Sequence, residues 1–451
     1  MTDRGSQQGG VTPDGAGPAR GGGPSPPSTA GRLLSIFGGS AGNLVEWYDW
    51  YVYAAFALYF APAFFPQEDA TAQLLSTGAI FAVGFLMRPI GAWFMGIYSD
   101  RYGRKAGLTL SILMMSAGSL MIALIPGYAE IGVWAPILLV IARLVQGLSV
   151  GGEYGASATY LSEMAGSDRR GFWSSFQYVT LIMGQLAALT VLMVLQSLLS
   201  EAALEQWGWR IPFAIGGALA IIVLFLRRRL METPNFVRAA ARADTPRSGI
   251  FALIRHHPGQ AALVVALTAG GTLAFYTYSV YMQKYLVISS GFTRVEATAI
   301  MTGALAVFMV MQPAFGALSD KVGRKPLMIA FGLSGLFGTV PLFHTLEQTR
   351  DSGVAFALVL AALVAVSGYT SINAVVKAEL FPAHIRALGV ALPYAVANAL
   401  FGGSAEYVAL QLKGLGAEDA FYWYVSAMIG LSLIAYIFMS ETRVTSLIDR
   451  D

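Results

Sequence analysis

Gly96-Ile97-Tyr98-Ser99-Asp100-Arg101-Tyr102-Gly103-Arg104-Lys105 is a charged turn between two long apolar runs, and it returns as Gly316-Ala317-Leu318-Ser319-Asp320-Lys321-Val322-Gly323-Arg324-Lys325. The offset is 220 positions in a chain of 451. Another set keeps nearly that offset: Glu163, Arg170 and Gly171 return as Glu379, Arg386 and Gly389, with a Glu-to-Arg spacing of seven in both. A single G-x-x-x-D-x-x-G-R-K would say little. Repeated at matching places in two apolar halves, it marks an internal duplication.

The surrounding composition says what kind of halves these are. Hydrophobic residues make up 55% of the chain and charged ones 12%, and mean hydropathy is +0.59, whereas soluble domains are about a quarter charged. An all-α polytopic membrane protein follows. A bilayer crossing needs about 20 apolar residues, and twelve such runs occur, near 33–60, 72–97, 107–126, 133–162, 171–199, 210–229, 260–286, 295–318, 326–345, 354–379, 388–411 and 419–440. No short apolar core ending in an A-x-A site precedes the first run, so that run is expected to stay and span. Residues 1–30, rich in Gly, Pro and Ser, are expected to be a disordered tail.

Net charge is only +3, which implies no nucleic-acid partner. Cysteine is absent, which removes disulfides, thiol catalysis and thiolate metal sites. The histidines, His256, His257, His344 and His384, fall in or beside loops, so no metal site is expected. Loop charges give orientation. Arg101, Arg104, Lys105, Arg169, Arg170, the arginines of 227–255, Lys321, Arg324, Lys325 and Arg386 share one side; Glu68, Asp69, Glu130, Glu201, Glu205, Glu418 and Asp419 share the other. By the positive-inside bias, both termini and the 230–258 segment are cytoplasmic. The expected organisation is a tail (1–30), a six-helix bundle (31–229), a cytoplasmic linker (230–258), a second six-helix bundle (259–440) and a cytoplasmic tail (441–451), the bundles being pseudo-symmetric parallel repeats.

Ionisable groups inside a spanning segment are expensive and mark function by default. Here they gather in the first half: Glu46 and Asp49 in helix one, Arg88 in helix two, Arg143 and Glu153 in helix four. At about 1.5 Å per residue, Asp49 and Arg143 both lie roughly 15 Å below the outer ends of their helices, so the two can meet. Glu46 and Arg88 come out at roughly 21 and 24 Å. Glu46 shares a face with Asp49, three residues on. Arg stays protonated, so proton traffic falls to Asp49 or Glu46. An anion that takes over Arg143 would leave the carboxylate easier to protonate, coupling substrate to proton; the competing reading is a bridge fastening two helices. Tyr53, four residues after Asp49, and Gln177 are candidate hydrogen-bond donors among the aromatic and amide residues of helices one, five, seven and eleven. Lys284, Glu406 and Lys377 lie near helix ends, where snorkelling accounts for them; Lys377 is kept as a second cation for a dianion.

The repeated motif reads as a cytoplasmic gate formed by Gly96, Asp100, Gly103, Arg104, Glu153, Glu163, Arg170, Asp320, Gly323, Arg324, Glu379 and Arg386. Asp100 and Asp320 are placed to bond to the N-terminus of a neighbouring helix, where the dipole favours an anion. Arg104 and Arg324 are placed to pair with the acids that end helices four and ten.

With twelve spans in two halves, the duplicated motif and Arg143-Leu144-Val145-Gln146-Gly147, the chain resembles the major facilitator superfamily. Gly42 to Tyr53, Phe85 to Gly91, Gly151 to Gly155, Trp207 to Phe213 and Lys377 to Gly389 resemble its metabolite:proton symporter family. Phe176 to Gln185, Phe275 to Val287 and Tyr394 to Leu410 are similar to the branch that carries 2-oxoglutarate. The resemblance implies no enzyme and no cofactor. It implies a symporter of the bacterial inner membrane, driven by the proton gradient and acting as a monomer in the lipid bilayer. Its partners would be protons and a small dicarboxylate. The residues themselves nominate Arg88, Arg143, Tyr53, Gln177 and Lys377 to hold that cargo, with proton coupling at Asp49 and Glu46. Citrate, shikimate or a zwitterionic osmolyte are the alternative cargoes, and a membrane sensor that binds without transport is the alternative of another class.

Overall fold

In a bilayer core no water satisfies backbone N–H and C=O groups, so a crossing run must bond within itself, as a helix does. The computed structural model describes residues 29–66, 69–102, 104–151, 153–228 and 249–448, with side chains for all of these except 29–43, 96, 99–101, 104, 105, 108, 153, 156, 160, 164, 220 and 223–228. Two compact units divide the chain, Met1–Gly38 and Gly39–Asp451. Of the first, residues 29–38 are described and are helical; all contacts below belong to the second.

Twelve long helical segments follow one another among the described residues: α1 (Thr29–Phe64), α2 (Ala70–Tyr102), α3 (Arg104–Leu124), α4 (Trp134–Val150, resumed as Glu153–Met164), α5 (Ser167–Leu198), α6 (Arg210–Arg228), α7 (Pro258–Ile288), α8 (Arg294–Val322), α9 (Arg324–Gln348), α10 (Ser352–Glu379), α11 (Ala383–Gly414) and α12 (Glu418–Phe438). One-turn or two-turn helices at Tyr128–Ile131, Glu201–Ala203, Ile250–His256 and Thr442–Thr445 fill some connections. No strand occurs among the described residues. Eight of the twelve are long and apolar enough to cross a membrane by themselves, and α3, α4 and α6 contribute shorter apolar helices.

The repeated motif is not a turn along its length, as its charge suggested. Helix α2 continues to Tyr102 and α8 to Val322, so the polar residues form the last turns of their helices. In the second copy the break is a single residue, Gly323, at φ 101°. That conformation costs any residue with a Cβ, and a Cβ there would lie 2.6 Å from Glu441 Oε2. The same Glu441 accepts from the Arg324 and Lys325 backbone N–H groups and so caps α9.

Small residues decide how closely α2 and α4 approach. A Cβ on Gly147 would fall on the Gly84 carbonyl oxygen, and one on Gly151 on that of Arg88. Backbone therefore meets backbone, as small residues allow between membrane helices. Against this pair α1 buries Trp50 and Tyr53, while the Tyr48 hydroxyl donates to the Pro212 carbonyl of α6. Helices α7 and α11 each widen into a π turn, at Thr277–Tyr281 and Asn398–Gly402. Such turns often sit at functional sites. Here Asn398 is tied to Thr272 at 2.5 Å, and Tyr276 meets Phe85 of α2 edge-on at 5.1 Å.

Candidate functional site

Helix α1 carries the first carboxylates inward. Asp49 is fully buried, and neither of its oxygens has a hydrogen-bond partner. It is pressed against α6, where a Cβ on Gly216 would fall on Asp49 Oδ1. Arg143 is also fully buried but forms no ion pair with Asp49. Its Nη1 donates to Gln146 Oε1 at 2.9 Å, and Gln146 Nε2 donates to Ser119 Oγ at 2.9 Å. The guanidinium rests on aromatic faces, 4.0 Å from the Trp50 ring centroid and 4.3 Å from that of Tyr53. Sequence depth set acid and base at one level; the guanidinium is held by Gln146, itself bonded to Ser119, and not by the carboxylate.

Arg88 shares the same tryptophan. Its Cζ lies 4.3 Å from the Trp50 ring, 4.0 Å from Phe85 and 5.1 Å from Trp47, and its Nε and Nη2 have no hydrogen-bond partner. Two buried guanidiniums against one indole is a concentration of positive charge that an anion would relieve.

Beside Arg88 lies a narrow cavity of about 20 Å³, lined by Glu46 and Trp47 of α1, Arg88 of α2, Val150, Gly151 and Tyr154 of α4, and Ala391, Tyr394, Ala395 and Asn398 of α11. Of the expected substrate and proton residues, Arg88 and Glu46 line it. Arg143, Asp49, Tyr53, Gln177 and Lys377 do not. The Tyr53 hydroxyl is committed to the Thr77 carbonyl at 3.0 Å, and Gln177 Oε1 accepts from Ser157 at 2.6 Å.

Two lysines depart from the snorkelling expected of them. Lys284 and Glu406 form a buried ion pair at 2.8 Å between α7 and α11. Lys377, in α10, is fully buried; its Nζ donates to Asn373 Oδ1 at 2.8 Å and lies 4.0 Å from the Tyr394 ring centroid. A second, smaller space of about 10 Å³ sits among α1, α5, α7 and α8 beside Tyr51, Gln185, Ser279 and Gln283, and there Gln185 donates to the Ser279 carbonyl.

At the motif end the two halves are tied together. Asp320 Oδ1 and Oδ2 accept from the Gly171 and Phe172 N–H groups, at 2.8 and 2.9 Å, at the start of α5. An acid at a helix N-terminus satisfies donors that the helix leaves unpaired. Arg324 holds Asp320 at 2.8 Å and faces Glu379 at 3.6 Å; Arg170 approaches the same Glu379 at 3.8 Å. Arg386 bonds Glu163 at 2.5 Å. The Asp100, Arg104 and Glu153 side chains, and Gly103, lie outside the described residues; Gly96 falls within α2. At the opposite end Arg294 of α8 bridges to Glu205 and Glu201 at 2.6 and 3.1 Å, and Gln196 donates to Tyr59 at 2.8 Å.

Sequence reasoning missed Trp50, Gln146, Ser119, Gly216 and Asn373. Gln146, three residues after Arg143, and Asn373, four before Lys377, carried a helical-face signal; nothing in sequence tied Ser119 to Gln146 or Gly216 to Asp49.

A duplicated twelve-helix chain, linked across its halves at both ends around a buried, charged interior, defines a membrane transporter. The sugar (and other) transporter family matches residues 36–262 and 250–451, and the chain belongs to that family within the major facilitator superfamily. It is a multi-pass transporter and not an enzyme. It is 53% identical over 411 residues to the alpha-ketoglutarate permease of Escherichia coli K12, over 91% of this chain and 94% of that one. It is also 34% identical to the citrate-proton symporter of Salmonella typhi, over 92% and 96% of the two chains. A glycine betaine/proline/ectoine/pipecolic acid transporter of Dickeya dadantii is 33% identical, over 91% and 84%. The E. coli xylose transporter in a partially occluded, inward-open conformation shares the fold, with a TM-score of 0.74 at 21% identity over 91% of this chain and 98% of that one.

Proposed function

We propose that the protein is a proton-coupled symporter that imports a small dicarboxylate, 2-oxoglutarate first, across the bacterial inner membrane by alternating access. The observation that carries this reading is Arg88, buried with two unbonded guanidinium nitrogens and facing the cavity beside Glu46, while Asp49 lies buried and unbonded against α6. Similarity to the alpha-ketoglutarate permease and to citrate-proton symporters supports both the acid cargo and the proton.

In this mechanism Arg88 takes a carboxylate of the cargo through bidentate N–H donors. Asp49, with Glu46 nearer the cavity, carries the proton. Arg143, held by Gln146, acts on Asp49 by its charge alone, so movement of one shifts the charge the other feels. The motif end, cytoplasmic by its basic loops together with both termini, opens as Asp320 leaves the α5 N-terminus. The opposite end opens as Arg294 leaves Glu201 and Glu205. Both sets of contacts lie within one chain, so a monomer suffices.

The test is uptake of labelled 2-oxoglutarate into vesicles holding the purified protein, with an inward proton gradient imposed and then collapsed. Accumulation that disappears with the gradient, and is competed by succinate and glutarate ahead of citrate, shikimate and betaine, is the expected outcome. Citrate or betaine as the better competitor would transfer the cargo to the sibling carriers. Accumulation that ignores the gradient would refute coupling.

A further inference from the structure

We infer that Lys377 receives the second carboxylate of the cargo and makes the transporter select for two negative charges. This deepens the dicarboxylate reading above and rests on it.

Buried ammonium groups need a counter-charge, because desolvation without one is costly. The chain obeys this at Lys284, paired with Glu406 at 2.8 Å. Lys377 is as deeply buried, yet its recorded partners are neutral: Asn373 Oδ1 at 2.8 Å and the rings of Tyr394, Tyr154 and Tyr369 at 4.0, 5.5 and 6.0 Å. An ammonium has three donors, and one is in use. Cation–π contact compensates in part; a carboxylate would complete it.

The position suits the cargo. Tyr154 and Tyr394, which line the Arg88 cavity, are stacked 3.8 Å apart, and Tyr154 donates to the same Asn373 oxygen that accepts from Lys377. The tyrosine pair therefore joins the ammonium to the wall of the cavity that holds Arg88. Arg88 comes from α2, in the first half, and Lys377 from α10, in the second. A dianion with one carboxylate at each contacts both halves together, whereas a monoanion leaves one cation unanswered. A zwitterion carries a cation of its own, which meets Lys377 with like charge.

Binding to purified protein tests this, read by the ligand-induced rise in melting temperature over a concentration series of 2-oxoglutarate, its C5 monoamide, succinate, glutarate and adipate. Wild-type protein should prefer 2-oxoglutarate to the monoamide by roughly 10- to 100-fold, the scale of one charge-assisted hydrogen bond. In Lys377→Met, of similar volume and no charge, that preference should fall to within about threefold, with the monoamide affinity kept. In Lys377→Arg the preference for two charges should remain, and the longer side chain should move the favoured diacid shorter by one methylene. An undiminished preference in Lys377→Met would overturn the inference and leave the dicarboxylate reading standing. Should Lys377→Met not fold, an unchanged chain-length profile in Lys377→Arg would overturn it as well. Failure of wild-type protein to bind any diacid would remove the substrate reading and this inference with it.

Discussion

In the proposed mechanism Asp49 carries the proton, and its surroundings bear on that role. A carboxylate without a hydrogen bond in a dry site responds to both desolvation and a nearby guanidinium, and Asp49 has no hydrogen bond while Arg143 is held by Gln146. In Asp49→Asn, accumulation driven by the gradient should be lost while exchange of labelled for unlabelled substrate continues. Equal loss of both would make Asp49 a structural residue. Its contact with α6 is a second handle. Gly216→Ala inserts a Cβ where Asp49 Oδ1 stands, and overpacking of this kind costs about 1–3 kcal/mol. Thermal unfolding of purified protein should show that loss, and Asp49→Ala should abolish it in the double variant. An additive double variant would mean that the two residues do not touch. Charge and depth were legible in the sequence, since both Asp49 and Arg143 were placed far inside. Azimuth was not, because spacing along one helix carries no information about which residue of another helix faces it. The same limit hid Glu406, 122 positions from Lys284, and left both looking like end-of-helix charges.

At the scale of the element, the duplicated motif works as a helix ending. Ser319 and Asp320 stay on α8, Gly323 reverses the chain, and Arg324 begins α9 with its N–H on Glu441. The repeat made the motif visible and its Asp-Gly-Arg spacing pointed to a gate. Its charge density concealed that most of it is helix, since polar residues in the last turn of a membrane helix read like a loop. Gly323→Ala should cost about 1–3 kcal/mol through backbone strain alone, and more where the Cβ displaces Glu441. The expected readout is a lower melting temperature, together with faster hydrogen exchange at the Arg324 and Lys325 amides. Unchanged exchange there would separate the strain from the α9 cap. The π turns of α7 and α11 had no legible signal, because no residue type demands them. What marks them in the structure is the company of Thr272, Asn398 and Tyr276 around Gly402.

Across the whole molecule the two ends are linked with unequal strength. Arg294 is 27% exposed and its partners Glu205 and Glu201 are 37% and 66% exposed; ion pairs at such sites give about 0.2–1 kcal/mol. Asp320 is buried, accepts two backbone N–H groups and holds a fully buried Arg324. Hydrogen bonds to a charged group contribute about 1.5–3 kcal/mol each. The motif end is therefore the tighter latch, and the unloaded protein should open by preference at the Arg294 end. The chain has no cysteine, so Ala391→Cys, on the cavity wall, supplies a single thiol whose labelling rate reports opening from a chosen side. Asp320→Asn should raise labelling from the motif side by about tenfold or more, since 1.4 kcal/mol is a factor of ten. Arg294→Gln should raise it from the other side by no more than about fivefold, because the pair it breaks is half in water. Equal effects at the two ends would mean that burial does not rank the latches, and a larger effect at Arg294 would reverse the resting orientation argued here.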